Sequence, residues 1–324
     1  MRDGNDVHVC EVGLRDGLQS IQTFFPTDQK IAWIEAEAAA GMPEIEVCSF
    51  VPPKLLPQFA DAKEICAAAL PIAEKHDGLV VSALMPNLKG AENGIAAGVH
   101  KLNYVTSVSV KHNLANVRMT PDESVDAFKK IVALRDEKAQ ESGRRVRLFV
   151  GLSTALGCTI EGQVDPDAVV RLAEKFLDAG ADELAVADTV GYANPSQVKS
   201  LFKLMYGTFG DDLPLTVHLH DTRGLGIANA LAALETGVRR FDASLAGLGG
   251  CPYAPGATGN IVMDDLVFML EGMGMKTGVD LDKLVAVREI VARNLPGETL
   301  NGGLAKSGTP KGFVPASSFA AAAE

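Results

Sequence analysis

Basic side chains are in the minority in this sequence. The 324 residues include 30 Lys and Arg against 41 Asp and Glu, which gives a formal net charge of −11 at pH 7. Proteins that bind nucleic acid or an anionic membrane surface attract phosphate through clustered Lys and Arg, so the composition argues against both kinds of partner. An anionic small substrate remains compatible with this composition, provided that basic side chains cluster at the entrance of its binding site.

Long hydrophobic runs and cysteine are also scarce. No uninterrupted apolar stretch approaches the roughly 20 residues of a membrane span, and the first residues lack the apolar region of a secretory signal. Five cysteines, an odd number in a long chain, are typical of reduced thiols and not of a disulfide scaffold. With 47% hydrophobic and 22% charged residues, the composition is that of an ordinary globular protein. We therefore expect a cytoplasmic globular protein.

The sequence lacks the glycine fingerprint of a dinucleotide-binding fold. Residues 11–17 read E-V-G-L-R-D-G, where such a fold would have G-x-G-x-x-G after its first strand. Instead, eight short apolar runs alternate with helical segments, which favours an α/β (β/α)₈ TIM barrel over an open doubly wound sheet. The predicted strands are residues 7–12, 44–50, 79–84, 101–110, 146–152, 183–187, 215–220 and 240–245.

We predict a single domain over residues 1–324. Residues 5–275 would form the barrel, with a glycine-rich catalytic loop at 247–260, because a minimal barrel needs about 250 residues. Residues 276–324 would add a helix near 280–293 and a flexible tail, and the small low-complexity residues 316–324 predict partial disorder. Gly41 and Gly180 fit helix ends.

Polar side chains cluster where the predicted strands end, which is the working face of a barrel. The groups in question are Arg15 and Asp16 after strand 1, Glu46 on strand 2, Asp188 on strand 6, His218 and His220 on strand 7, and Cys251 after strand 8. Five of the eight strands thus end in ionisable or thiol groups within apolar surroundings, which indicates an active site.

His218 and His220 are two positions apart on a strand, so their imidazoles project to the same side, about 7 Å apart. Alone, such a pair is more often two hydrogen-bonding histidines than a metal site. Asp16 changes this, because a carboxylate with two imidazoles gives three ligands and leaves positions open for substrate, and Asn260 could add a carbonyl oxygen. Nitrogen and oxygen ligands without thiolate favour Mg²⁺ or Mn²⁺, with Zn²⁺ or Co²⁺ as alternatives.

The other candidates each have a structural alternative. Cys251 is either a small buried side chain or a functional thiol, and the glycines around it favour the second because they give the loop backbone freedom. Arg15 beside Asp16 is either a surface ion pair or a guanidinium that holds a developing enolate oxygen. Glu46 and Asp188 could act only by orienting Arg15 or His218.

At these residues the sequence resembles the 3-hydroxy-3-methylglutaryl-CoA (HMG-CoA) lyase family, within a wider group of metal-dependent barrel lyases and synthases. The matching stretches are residues 11–19, 49–54, 156–158, 188–191, 218–222 and, most specifically, 247–260. Departures from the family pattern are Leu14 for Pro, Leu55 for Trp, Arg223 for Tyr and Asp264 for Glu. These changes affect the expected shape of the acyl pocket and leave the metal and thiol positions intact.

The resemblance implies roles for individual residues. A divalent metal would be bound by Asp16, His218, His220 and Asn260, Arg15 would stabilise the enolate, Cys251 would protonate the product carbanion, and Glu46 and Asp188 would complete the site. The base that removes the substrate's hydroxyl proton would be His218 or a site carboxylate. The phosphates of CoA would need a cationic rim, for which Lys54, Lys111, His112 and Arg223 are candidates.

Together, these observations predict retro-Claisen cleavage of a 3-hydroxyacyl-CoA to acetyl-CoA and a keto acid, acetoacetate by default. A lyase for a different acyl group is one alternative. A condensing synthase or aldolase of the same barrel group is another, and a non-catalytic metal-binding scaffold is a third. We also expect a homo-oligomer, most simply a dimer.

Overall fold

Eight parallel strands form a closed barrel in chain order, with each strand paired to its sequence neighbours and β8 paired to β1. The computed structural model describes residues 4–249 and 259–318. The strands are β1 (His8–Glu11), β2 (Glu44–Ser49), β3 (Val80–Met85), β4 (Lys101–Ser107), β5 (Arg147–Ser153), β6 (Glu183–Asp188), β7 (Leu215–Leu219) and β8 (Arg240–Ala243). The predicted TIM barrel and its eight strands are confirmed.

Helices connect the strands and surround the barrel. Over the described residues they are α1 (Thr27–Ala39), α2 (Ala62–Lys75), α3 (Leu88–Ala97), α4 (Val110–Val117), α5 (Pro121–Ser142), α6 (Pro166–Asp178), α7 (Pro195–Phe209), α8 (Gly226–Leu234), α9 (Met263–Gly272), α10 (Leu281–Asn294) and α11 (Leu304–Ser307). None of them is both long and apolar enough to cross a membrane.

The predicted fourth strand was too long at its C-terminal end. The strand ends at Ser107, and Val110 already begins α4. The reason is local, because the Ser109 side chain accepts a hydrogen bond from the His112 backbone N–H and so caps the new helix. This early end brings α4 to the rim of the barrel beside the site.

Side chains of β4 alternate between the two faces of the barrel wall. Lys101, Asn103 and Val105 line a cavity inside the barrel. Tyr104 faces the helices and packs against Phe128 of α5, with ring centroids 5.4 Å apart. The apolar core therefore lies between the barrel and its helices, while the barrel interior is free to carry polar groups.

The predicted C-terminal helix is present as α10 and packs against α1. Residues 316–318, at the start of the tail predicted to be partly disordered, have partners within the fold. Ala316 is buried, and Ser317 donates hydrogen bonds from its backbone N and its Oγ to the buried Glu271 carboxylate, at 2.7 and 2.6 Å. Composition alone did not reveal this partner. Residues 319–324 lie outside the described residues.

Candidate active site

The turn after β1 carries two of the predicted site residues. Residues 13–17 form one wide helical turn, in which the backbone N–H groups of Arg15 and Asp16 both donate to Val12 O, at 3.1 and 2.7 Å. Gly13 is required here, because a Cβ would lie 2.5 Å from Glu11 Oε1 and 2.9 Å from the Trp33 ring. The turn therefore holds Arg15 and Asp16 at the C-terminal rim of the barrel.

A buried carboxyl group lies directly under this turn. Glu11 Oε1 accepts hydrogen bonds from the backbone N–H groups of Gly13, at 2.6 Å, and Leu245, at 2.9 Å. Burial raises the pKa of Glu11 to about 8, although these two donors oppose the rise. Burial also raises the pKa of Glu37, and the charge of Glu11 adds to that effect. Glu37 Oε1 accepts a 2.6 Å hydrogen bond from Trp33 Nε1.

Asp16, His218 and His220 converge at one point of the rim. The Nε2 atoms of the two histidines are 3.2 Å apart, and Asp16 Oδ2 lies 3.9 Å from His218 Nε2 and 3.8 Å from His220 Nε2. One ligand atom from each residue falls within 4.8 Å of the others, so the three side chains could hold a metal ion. Two lone-pair nitrogens and a carboxylate that face each other suit a divalent cation.

Electrostatics favour this set of ligands. His218 Nδ1 lies 3.2 Å from Asp242 Oδ2, which places a proton on Nδ1 and leaves the Nε2 lone pair toward Asp16. Burial alone would lower the pKa of His218, but the hydrogen bond and charge of Asp242 raise it. Burial alone would raise the pKa of Asp16, but Arg15 and the two histidines hold it well below its usual range.

Asn260 joins this group from the far end of the chain. Its Nδ2 donates to Asp16 Oδ2 at 2.7 Å and to Leu248 O at 3.0 Å, and its backbone forms an antiparallel bridge with His220. The amide nitrogen, not the predicted carbonyl oxygen, therefore faces Asp16. Oδ1 is buried and has no hydrogen-bond partner among the described residues, and a half-turn of the amide would exchange the two atoms.

Arg15 is held by two carboxylates. Its Nε donates to Glu46 Oε2 at 2.6 Å, and its Nη1 donates to Asp16 Oδ1 at 2.5 Å. Burial alone would lower the pKa of Arg15, but Glu46 and Asp16 raise it, so the guanidinium is a permanent charge. Asn103 Nδ2 donates to the second oxygen of Glu46 at 2.8 Å. Glu46 thus orients Arg15, as the alternative reading of the sequence allowed.

Asp188 holds the loop that follows β6. Its Oδ1 accepts from Tyr192 N at 2.8 Å and its Oδ2 from Ala193 N at 3.1 Å, and burial raises its pKa despite these donors. The charge of His220 acts on Asp188 as well. Asp188 therefore fixes the backbone of the loop that follows β6.

The converging side chains face a cavity of about 570 Å³ inside the rim. Pro52, Leu55, His112 and Asn116 are among its outer lining residues. The predicted CoA-binding residues Lys54 and Lys111 are exposed. In the sequence they directly precede the lining residues Leu55 and His112.

Arg223 lines a separate cavity of about 780 Å³. Its Nη1 donates to Val190 O and Gly191 O, at 3.1 and 2.9 Å, and its guanidinium lies 4.5 Å from the centroid of the Tyr192 ring. Arg223 thus lines a different cavity from the one that the predicted metal ligands face.

Cys251 and the rest of residues 250–258 lie outside the described residues. Gly249, just before them, has φ +98°, and a Cβ on it would lie 2.8 Å from Asp16 O and 2.9 Å from Asn260 Nδ2. Glycine is therefore needed at position 249 because the loop passes against the metal-ligand group.

Sequence reasoning missed two residues of the site, Asn103 and Asp242. Both are polar side chains on barrel strands, and both line the cavity. The available signal was strand alternation: Asn103 is two residues after the charged Lys101, and Asp242 is two residues after Arg240, so each continues a polar face of its strand.

Comparison with known proteins agrees with this geometry. The family profile described as HMGL-like matches residues 6–291. This chain belongs to the HMGL-like family. Hydroxymethylglutaryl-CoA lyase YngG of Bacillus subtilis is 37% identical over 298 residues, which cover 91% of this chain and 96% of that protein. The mitochondrial hydroxymethylglutaryl-CoA lyase of Mus musculus is 39% identical, with 90% and 87% covered.

A solved member of the HMGL-like family has nearly the same fold. The HMG-CoA lyase of Acinetobacter baumannii, in a structure with coenzyme A and 3-methylmalate, is 41% identical and has a TM-score of 0.85. The match covers 97% of this chain and 99% of that one. The resemblance drawn from the motifs is therefore confirmed over almost the whole chain.

Proposed function

We propose that this chain is a metal-dependent carbon–carbon lyase that cleaves HMG-CoA to acetyl-CoA and acetoacetate. The observation that carries the proposal is the convergence of Asp16, His218 and His220 within 4.8 Å, beside the guanidinium of Arg15, in one cavity. Relatives named as hydroxymethylglutaryl-CoA lyases support the choice of substrate.

Asp16, His218, His220 and Asn260 would hold the metal ion. The buried, unpartnered Oδ1 of Asn260 supports its inclusion, since an amide oxygen next to two imidazoles and a carboxylate completes a set that Mg²⁺ or Mn²⁺ accepts. When bound, the ion would act as a Lewis acid that makes the 3-hydroxyl group of the substrate more acidic.

The remaining chemistry is proton transfer and charge stabilisation by side chains. A base removes the hydroxyl proton, the C2–C3 bond breaks to give the keto acid, and its electron pair moves onto the acetyl thioester as an enolate. His218 and the Asp16 carboxylate are the two bases within reach, although a lone pair of His218 that binds metal cannot also accept a proton. Arg15 offers the enolate oxygen a fixed charge, and Cys251 would return a proton to C2.

The CoA moiety would extend through the mouth of the cavity. Lys54 and Lys111 are exposed and precede the lining residues Leu55 and His112 in the sequence. They would attract its phosphates, which the overall negative charge of the protein would otherwise repel. Arg223, which lines the other cavity, is a weaker candidate for the same role. A cytoplasmic location is supported by the four free thiols among the described residues, Cys10, Cys48, Cys66 and Cys158. The expected homodimer stays a prediction for sedimentation analysis.

The direct test is turnover by the purified protein. With Mg²⁺ present, HMG-CoA should yield free acetyl-CoA and acetoacetate, and thioesters with other groups at C3 should define the acyl range. The same protein with acetyl-CoA and a panel of 2-oxo acids tests the condensing alternative. Condensation without cleavage of HMG-CoA would overturn the proposal.

A further inference from the structure

Asn103 is a polar side chain that faces the interior of the barrel. It lies on β4 between Lys101 and Val105, all three line the active-site cavity, and Asn103 is only 7% exposed. Its Nδ2 donates to Glu46 Oε1 at 2.8 Å. The amide cannot be reversed, because a carboxylate oxygen accepts hydrogen bonds and the amide oxygen has none to give.

The protein satisfies only one end of the Asn103 amide. Its Oδ1 is buried and has no hydrogen-bond partner among the described residues. A buried polar atom without a partner is unfavourable. Its Nδ2 is the donor that meets the buried Glu46 Oε1, so the contribution of Asn103 lies in that bond.

Glu46 is the link between Asn103 and Arg15. One of its oxygens accepts from Asn103 and the other accepts from Arg15 Nε at 2.6 Å, so the carboxylate is fixed at both ends. Arg15 in turn donates from Nη1 to Asp16 Oδ1. The guanidinium is thus shared between Glu46 and the predicted metal ligand Asp16, and the orientation of Glu46 sets how it is shared.

We propose that Asn103 is a positioning residue that holds Glu46, and through it Arg15, in the orientation that meets the developing enolate. Without Asn103, the Glu46 carboxylate is free to turn, and Arg15 shifts toward Asp16. That shift takes positive charge from the enolate position and weakens Asp16 as a metal ligand. This inference rests on the proposed lyase function, but it also predicts a change in metal binding that is measurable without turnover.

The test compares Asn103→Leu with the wild-type protein. We expect kcat for HMG-CoA to fall roughly 10–100-fold, the range typical of residues that support a metal site, with KM changed by less than about threefold. Mn²⁺ affinity, measured by titration of the metal-free protein with free Mn²⁺ followed by electron paramagnetic resonance, should also fall. The melting temperature should fall modestly, because the buried Glu46 Oε1 loses its donor while the unpaired Asn103 Oδ1 is also removed.

A double-mutant cycle decides whether Asn103 acts through Glu46. In a Glu46→Gln background, Asn103→Leu should lower kcat by much less than it does alone, because coupled residues are not additive. Ser82→Ala is the matched control. Ser82 is buried on β3 directly opposite Glu46, but its Oγ bonds only the main chain, at Ile45 O, and its loss should leave kcat within about twofold.

The outcomes separate this inference from the proposed function. If the wild-type protein cleaves HMG-CoA and Asn103→Leu keeps wild-type kcat and Mn²⁺ affinity, the positioning role is wrong and the lyase proposal stands. If the wild-type protein does not cleave HMG-CoA, the lyase proposal fails, and unchanged Mn²⁺ affinity in the variant would then overturn the positioning role separately. Should Asn103→Leu not fold, Asn103→Ala is measured with the same criteria.

Discussion

Asn260 Nδ2 lies 2.7 Å from Asp16 Oδ2, although the two residues are 244 positions apart in the sequence. Asp16 is on the turn after β1, and Asn260 follows the loop after β8, so the bond joins the two ends of the barrel. The group that could hold a metal ion therefore exists only when β8 has paired with β1. Folding of the barrel and assembly of the site are the same event.

Removal of metal should abolish activity. The protein stripped with a chelator should show no cleavage of HMG-CoA, and Mg²⁺ or Mn²⁺ should restore it. Asp16→Asn should weaken Mn²⁺ binding by more than the roughly 10–100-fold that outer-shell changes cause, measured by calorimetric titration. Asp28→Asn, at an exposed position on α1, is the control and should bind Mn²⁺ as the wild type does. Full activity of the metal-free protein would contradict the mechanism.

Arg15 should matter for turnover more than for substrate binding. Arg15→Gln removes the fixed charge beside the proposed enolate, and loss of one such group typically costs about 10²–10³-fold in kcat. Arg15→Lys should recover little, because an ammonium cannot donate to Glu46 and Asp16 in the same fork. Arg145→Gln, which removes a half-exposed partner of Asp182, is the control. A large rise in KM with unchanged kcat would assign Arg15 to binding alone.

Cys251 should act in proton transfer and not in metal binding. Cys251→Ala should lower kcat by roughly 10²-fold or more, the usual range for loss of a general acid, while Mn²⁺ affinity stays unchanged. Cys66→Ala removes a buried thiol of α2 and should leave kcat near the wild-type value. Near-normal turnover of Cys251→Ala would show that the thiol takes no part in catalysis.

Stability should fall as the pH rises from about 4.5 to about 8, because of the buried carboxyl under the Arg15 turn. Burial raises the pKa of Glu11 from 4.5 to about 8. A carboxyl whose pKa is higher in the folded state stabilises the fold while protonated, and this contribution is lost as the pH rises through about 8. Glu11→Gln keeps an acceptor for Gly13 and Leu245 and cannot ionise.

The measurement is the melting temperature of both proteins between pH 5 and pH 9. The wild type should melt progressively lower relative to Glu11→Gln from pH 5 to about pH 8 and by a constant amount above that, with about 2–4 °C for each kcal/mol. Glu298→Gln, at an exposed position, should follow the wild type. Parallel curves for wild type and Glu11→Gln would show that Glu11 ionises normally.

The mouth of the cavity should attract CoA by charge. Lys54→Ala combined with Lys111→Ala should raise KM several-fold and leave kcat unchanged, and the difference should shrink at high salt because salt screens exposed charges. Lys283→Ala, on the exposed face of α10, should have no effect. Equal KM values for the double variant and the wild type would show that the CoA phosphates bind elsewhere, and Arg223→Ala would then be the next variant to test.

The sequence was sufficient for the fold and for the residues that carry motifs. Strand runs and capping residues are local signals, so they predicted the barrel and the helix near residue 280. Arg15, Asp16, His218 and His220 could be found because each lies at or just after the C-terminal end of a strand, and the topology then brings the strand ends together.

Contacts between distant residues could not be predicted in the same way. Nothing near Asn103 in the sequence indicates that Glu46 lies opposite it across β3, and nothing near Ala316 indicates a buried Glu271. The orientation of the Asn260 amide depends on Leu248 and Asp16, which only the folded chain brings within reach. Pairing of single polar atoms is set by packing and not by local pattern.

The bond between Ser317 and Glu271 has a practical consequence. A shortened version that stopped at residue 275 would leave the outer side of α1 uncovered. It would also leave the buried Glu271 carboxylate without its donors, because the three others, Thr277 N, Thr277 Oγ1 and Ser317 N, also lie beyond that point. Residues 276–318 are thus part of the fold, and attempts to trim the enzyme to its barrel for crystallisation or engineering should yield insoluble material.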